Sequence, residues 1–238
     1  GKHGFLKRSG ADFVFENVPN KKVKFYGPNL CEGVCFPDRG NAVSMADDLA
    51  RRGYNIVRLH HFDNYCIKKD STDLDPEQME RLDFLLNELR KRGIYVTIDL
   101  YISRAASAKS MNLPGSYNYQ GNTYKMLFFL EEAARENLKA YSLNLLNHVN
   151  PYTGLRLKDD PQLVTISMIN EDSISLLVDN KHIQSHPYLK KRLREEYLAW
   201  HKRNGRNDDG QLYNLAFISQ LYHCLLYTSP SPRDRTRS

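Results

Sequence analysis

Met79, Leu82, Leu85, Leu86 and Leu89 recur at alternating three- and four-residue steps, the pattern of a helix that buries one face. This stretch has a readable start. Asp75 stands as an N-cap, Pro76 as the first helical residue and Gln78 as the third, with Leu74 and Met79 set as a hydrophobic staple. It ends on Leu89-Arg-Lys-Arg-Gly93 and passes into Ile-Tyr-Val-Thr-Ile-Asp-Leu100. The same unit occurs earlier, as Leu49-Ala-Arg-Arg-Gly53 followed by Tyr-Asn-Ile-Val-Arg-Leu59, after a helix that Asn41 is placed to cap. Basic residues in a last turn, a glycine just past it and then β-branched residues spell helix, stop and strand.

A further strand precedes the first helix, around Lys24 to Leu30, and another, Gln162 to Ile169, follows a long helix predicted from Met126 to His148. The order β-α-β-α-β-α-β calls for a parallel sheet with crossover helices. Ahead of it, Phe5 to Phe15 and Val23 to Tyr26 predict a short β-hairpin. Two more helices follow, Pro187 to Arg203 and Gln211 to His223, with no fifth strand pattern. A doubly wound sheet would carry a glycine-rich phosphate turn after its first strand. Here that turn reads Cys31-Glu-Gly-Val-Cys-Phe-Pro37, with no G-x-G-x-x-G. The expected fold class is therefore α/β, the N-terminal half of a TIM (β/α)8 barrel with about four β/α units, led by a hairpin.

Composition narrows this further. With 41% hydrophobic and 26% charged residues, the chain is neither disordered, collagen-like nor a coiled coil. No apolar run approaches the roughly 18–20 residues of a membrane span, so no membrane partner is expected. Four cysteines are too few for a disulfide scaffold, and Cys31 and Cys35 have no second pair to complete a zinc site. They are expected to be buried or half-buried thiols. The net charge of +6 raises the question of nucleic acid. In the most basic run, however, Lys190 to Arg194 alternates with Leu189, Leu193, Tyr197 and Trp200 and meets Glu195 and Glu196. That is the solvated face of an amphipathic helix, and no nucleic-acid partner is expected. From Cys224 the composition changes to a Ser/Pro/Arg-rich run resembling a translated sequencing adapter, holding two of the six net positive charges. The expected division is a partial barrel domain over residues 1–223 and a non-native tail over 224–238, with neither true terminus legible.

In a (β/α)8 barrel, chemistry collects at the C-terminal strand ends. Those ends carry Asn29 and Glu32; Arg58, His60, His61 and Asp63; Asp99, Tyr101 and Arg104; and Asn170 and Glu171. Ile166-Ser-Met-Ile-Asn170-Glu171, an apolar strand ending in Asn-Glu, resembles the clan A glycoside hydrolases, the cellulase-like family 5 in particular. Phe25-Tyr-Gly-Pro-Asn29, Val57-Arg-Leu-His-His-Phe-Asp63 and His148-Val-Asn-Pro-Tyr-Thr-Gly154 strengthen the likeness, which runs from about Gly4 to His223. The resemblance implies Glu171 as general acid/base, Asn170 as its partner on the sugar 2-hydroxyl, and Arg58 as the arginine that orients the nucleophile carboxylate. His60, His61, Asp99, Tyr101 and Asn29 are then expected to bind substrate, with Tyr101 standing where the clan commonly has a histidine. The expected setting of Glu171 is a partly apolar cleft that raises the pKa of a proton donor.

The resemblance also implies a retaining mechanism whose second glutamate, on the seventh strand, is absent from this chain. Glu32, Asp99 and Asp172 are nearby carboxylates but none takes that position. The expectation is a fragment of an enzyme that cleaves β-glycosidic bonds, inactive by itself, with no cofactor and no metal. A poly- or oligosaccharide is its partner, its parent is a monomer, and its location is secreted or periplasmic. Two other readings stay open: a carbohydrate-binding barrel without catalysis, favoured only by Tyr101, and a metal-dependent barrel hydrolase using His60 and His61 with Asp63 and Asp99, against which strand alternation is expected to turn the two adjacent histidines to opposite sides. Tyr117, Tyr119 and Tyr124, in a loop rich in Gly, Asn and Gln, suit either sugar stacking or a mobile surface loop.

Overall fold

The structure is a computed structural model that describes residues 2–171 and 179–228. It divides into two compact units, Gly1–Ala105 with Asn137–Asn170, and Ala106–Glu136 with Glu171–Ser238. The first begins with three short antiparallel strands, β1 (Leu6–Ser9), β2 (Asp12–Phe15) and β3 (Val18–Val23), paired in that order. The expected hairpin is thus a three-stranded meander. Phe15 stacks on Tyr95 with ring centroids 4.7 Å apart, and Phe25 meets the same tyrosine edge-on at 5.8 Å. The meander is thereby packed onto the N-terminal end of the sheet that follows.

That sheet is parallel, with strand order β4 (Asn29–Cys31), β5 (Ile56–His60), β6 (Tyr95–Tyr101) and β9 (Leu163–Ile169). Helix α1 (Arg39–Arg51) crosses from β4 to β5 and α2 (Pro76–Lys91) from β5 to β6. Both end at a left-handed glycine, Gly53 at φ 79° and Gly93 at φ 72°, as their sequences require. Asp75 caps α2 by accepting from the Glu77 and Gln78 amides. For α1 the cap is Asp38, not Asn41: the helix starts earlier, and the Asn41 amide donates to the Asp38 carboxylate. Gly27 allows the close passage into β4, since a Cβ there would stand 1.6 Å from the Ile56 carbonyl oxygen.

Alternation divides the sheet into two faces. Val57, Leu59, Val96, Ile98 and Leu100 are at most 2% exposed, and α2 lies against β6. The other face carries Arg58, His60, Thr97, Asp99, Thr165 and Ser167, with the Thr97 and Thr165 hydroxyls 2.6 Å apart. A parallel sheet is ordinarily apolar on both faces. A polar inner face marks the lining of a site. On β9, Ile166 and Met168 turn to the outer side and are 40% and 64% exposed. Cys31 is exposed, while Cys35 and Cys66 are buried and free, desolvation pushing both thiols up to about 12.

The second unit contains a two-stranded ribbon of β7 (Ala106–Ser107) and β8 (Asn118–Tyr119), helix α3 (Asn122–Leu130), the start of α4 (Glu132–Asn147), α5 (Lys181–Ser185), α6 (Pro187–Arg203) and α7 (Leu215–Thr228). The single helix predicted from Met126 to His148 is two, broken at Glu131, whose backbone is extended. The cause lies far off in sequence. The Glu131 carboxylate accepts from the Tyr188 hydroxyl at 3.0 Å and from Arg192 Nε at 2.5 Å, while Arg135 Nη1 takes the Phe128 carbonyl at 2.9 Å. Tyr119 and Tyr124 are 0% and 1% exposed, so neither offers a face for sugar stacking; Tyr117 packs on the His186 ring at 4.6 Å. Helix α7 runs past Cys224, where the composition changes, and residues 229–238 lie outside the described part. No helix among the described residues is long and apolar enough to cross a membrane.

Candidate active site

Arg58 and His60 share the inner face of β5, and Asp99 lies beside them on β6. Arg58 grips Asp99 as a fork, Nε to Oδ2 at 2.8 Å and Nη2 to Oδ1 at 2.9 Å, and its Nη2 also donates to Asn170 Oδ1 at 2.9 Å. His60 Nδ1 lies 2.9 Å from Asp99 Oδ2. The Asp99 side chain is 1% exposed. Burial opposes its charge, but hydrogen bonds from Arg58 and His60, the Arg58 charge and a bond from Ser167 together hold its carboxyl below the usual range. Four residues expected at the site, Arg58, His60, Asp99 and Asn170, thus form one network. Because the guanidinium occupies the Asn170 oxygen, the Asn170 NH2 group is the end left to address a ligand acceptor.

Asn29 lies opposite Arg58 in the β4–β5 register and is exposed. His61 is half-buried and left-handed at φ 54°. That turn breaks the strand alternation expected to separate the two histidines, and their rings lie 4.4 Å apart. Left-handed backbone at non-glycine residues recurs at Glu32, just past β4, and at Glu171, just past β9, with φ 55° and 51°. Three strand ends thus carry a conformation that side chains ordinarily avoid, as functional sites often do.

Tyr101 departs from expectation. It is fully buried, and its hydroxyl donates to the Arg104 carbonyl at 3.0 Å. Enclosed in this way, it packs the sheet instead of meeting substrate. Asp63 is fully buried too. Its Oδ2 accepts the amides of Ile102, Ser103 and Arg104 at 2.7, 2.9 and 2.9 Å, and its Oδ1 accepts the Ser103 hydroxyl at 3.1 Å. Both carboxylate oxygens are thus engaged in holding the turn after β6. Among the described residues, no group of three or more His, Cys, Asp or Glu is placed to hold a metal.

Glu171 belongs to the second unit and directly follows Asn170. It is exposed, not enclosed in a partly apolar cleft as the sequence led one to expect, because no described strand beyond β9 walls it. Its carbonyl accepts from Lys125 Nζ at 3.4 Å. Asp172 lies outside the described residues. Two contributors escape a reading of strand ends. Ser167 is on the strand itself, and Lys125 is signalled only as a lone charge within the apolar run Tyr124 to Leu130.

The model of the cellulase family, glycosyl hydrolase family 5, matches residues 16–145, more than half of the chain. The chain belongs to glycosyl hydrolase family 5. Among its relatives are mannan endo-1,4-beta-mannosidase 1 of Oryza sativa subsp. japonica, 24% identical over 78% of this chain and 44% of its own length, and mannan endo-1,4-beta-mannosidase 5 of Arabidopsis thaliana, 24% identical over 77% and 44%. The chain therefore spans less than half the length of these curated relatives. Among solved structures, the endo-1,4-beta-mannanase of Rhizomucor miehei superposes with a TM-score of 0.54 at 16% identity, over 86% of this chain and 59% of the other. The family 5 mannosidase of the same fungus gives 0.54 at 14%, over 85% and 54%. The fold is α/β, the N-terminal part of a family 5 (β/α)8 barrel, carrying its first four parallel strands. The family is one of glycoside hydrolases.

Proposed function

We propose that this chain carries the acid/base half of a retaining glycoside hydrolase acting on a β-1,4-linked, mannan-type polysaccharide. The observation that carries the reading is the Arg58–Asp99–His60–Asn170 network leading straight into Glu171 at the end of β9. Glu171 protonates the glycosidic oxygen as the bond to the leaving sugar breaks, and in the second half-reaction removes a proton from the attacking water. Asn170, its oxygen held by Arg58, directs its NH2 toward the sugar 2-hydroxyl. His60, His61 and Asn29 border the same strand ends and bind neighbouring hydroxyls. The mannan preference rests on the relatives' names.

A retaining mechanism needs a second carboxylate roughly 5–5.5 Å from the first. Asp99 is already committed to Arg58 and His60, so the nucleophile belongs to a strand beyond these four, and the 238-residue chain alone binds glycan without cleaving it. Tyr101 gives no support to a purely carbohydrate-binding barrel, since a buried ring that packs the sheet is not a substituted sugar contact. A polymeric substrate places the parent outside the cytoplasm, secreted or periplasmic, and acting as a monomer. The test is titration of β-1,4-mannopentaose into the isotope-labelled chain, followed by NMR. Shifts centred on Arg58, His60, Asn170 and Glu171, stronger than with cellopentaose, support the reading. An absence of binding, or shifts confined to the outer groove of about 950 Å³ along α1 beside Asn41 and Asp48, would sink it.

A further inference from the structure

Lys125 stands apart from the rest of α3. Its neighbours Tyr124, Met126, Leu127, Phe129 and Leu130 are buried, and Lys125 is buried with them at 4% exposure. An ammonium withdrawn from water is costly unless it is bonded, so a lysine in such a helix needs a use for its charge. Its Nζ reaches the main-chain oxygen of Glu171 at 3.4 Å. Glu171 holds a left-handed backbone, φ 51°, without being glycine. Such a conformation persists where neighbouring groups fix it.

We propose that Lys125 is a positioning residue for Glu171. Its charge-assisted hydrogen bond to the Glu171 carbonyl holds the left-handed turn after Asn170 and so sets the direction in which the Glu171 side chain leaves the backbone. The consequence for catalysis rests on reading Glu171 as the acid/base; the conformational claim does not. Because the contact is to main chain, the side chain of Glu171 stays available for proton transfer. It also means that the contact is independent of whether that carboxyl is ionised.

The experiment is NMR on the full chain labelled with nitrogen-15 and carbon-13. In the wild type, the Lys125 ammonium should exchange at least about tenfold more slowly than those of exposed lysines and show a cross-peak to the Glu171 α-proton, with Glu171 giving the amide coupling and Cα shift of a left-handed residue. In Lys125→Met the left-handed signature is lost, while Lys125→Arg, which keeps a charged donor, retains it. Persistence of the signature in Lys125→Met would overturn the proposal. So would a freely exchanging Lys125 ammonium in the wild type, a result that decides the matter even where Lys125→Met does not fold. Glu171→Gln keeps Lys125 protected, because the bond is to the main chain. Loss of mannopentaose binding with that protection intact faults the acid/base reading alone.

Discussion

Asp63 is the residue on which the geometry of the β5 and β6 ends depends, and its substitution has a calculable effect. One carboxylate oxygen gathers three successive amides, Ile102, Ser103 and Arg104, and the other takes the Ser103 hydroxyl. Hydrogen bonds to a charged group are worth about 1.5–3 kcal/mol each, but bonds that share an acceptor are not additive. Asp63→Ala leaves those donors without an acceptor in a site with no exposed surface, and a loss of about 3–5 kcal/mol follows. Asp63→Asn keeps one oxygen for the amides and presents an NH2 to the Ser103 hydroxyl, which both donates and accepts, so the cost falls to about 1–2 kcal/mol. Urea unfolding followed by far-UV circular dichroism reads the difference. With a slope near 2 kcal/mol/M, Asp63→Ala lowers the midpoint by roughly 1.5–2.5 M. Amide exchange at Ile102, Ser103 and Arg104 should accelerate by about a hundredfold or more in the same variant. An Asp63→Ala cost below about 1 kcal/mol, or an Asn variant as damaged as the Ala one, would refute the reasoning.

Three further outcomes are expected. The folded-state pKa of Asp99 lies below its unfolded value, so the carboxylate contributes stability above about pH 4 that is lost as pH falls through the folded pKa. Urea midpoints of Asp99→Asn and wild type should therefore differ more at about pH 6 than at about pH 2.5; an equal gap would contradict the assignment. Tyr101→Phe should cost about 1 kcal/mol through the lost bond to the Arg104 carbonyl while leaving mannopentaose affinity unchanged in calorimetry. Asp75→Ala removes the cap of α2 and should cost about 1 kcal/mol in thermal unfolding, with mannopentaose affinity again unaffected.

What was legible in the sequence was whatever short-range chemistry decides. Gly53 and Gly93 end their helices because a left-handed residue is needed there, and Asp75 with Pro76 announces α2 within a single turn. Long-range partners were not legible. Nothing in Phe128 to Glu132 breaks a helix by propensity; Tyr188 and Arg192 draw Glu131 out of it. Arg58, Asp99 and Asn170 could be picked out as polar strand ends, but not that one guanidinium joins the other two. The burial of Tyr101 and the approach of the His61 ring to His60 were not legible, because side-chain direction at a strand end depends on the following turn. The turn after β6 is tied to Asp63, and the one after β5 passes through a left-handed His61.

The role of Glu171 is tested most directly in a complete family 5 barrel that carries this chain's first four strands. There Glu171→Ala should lower mannan hydrolysis by about 10²–10⁴-fold, the contribution of a positioned proton donor. An aryl mannoside whose leaving group needs no protonation should be affected far less, and added azide should restore turnover as β-mannosyl azide. Equal losses on both substrates with no azide adduct, or unchanged mannan hydrolysis, would contradict the assignment of Glu171 as the acid/base.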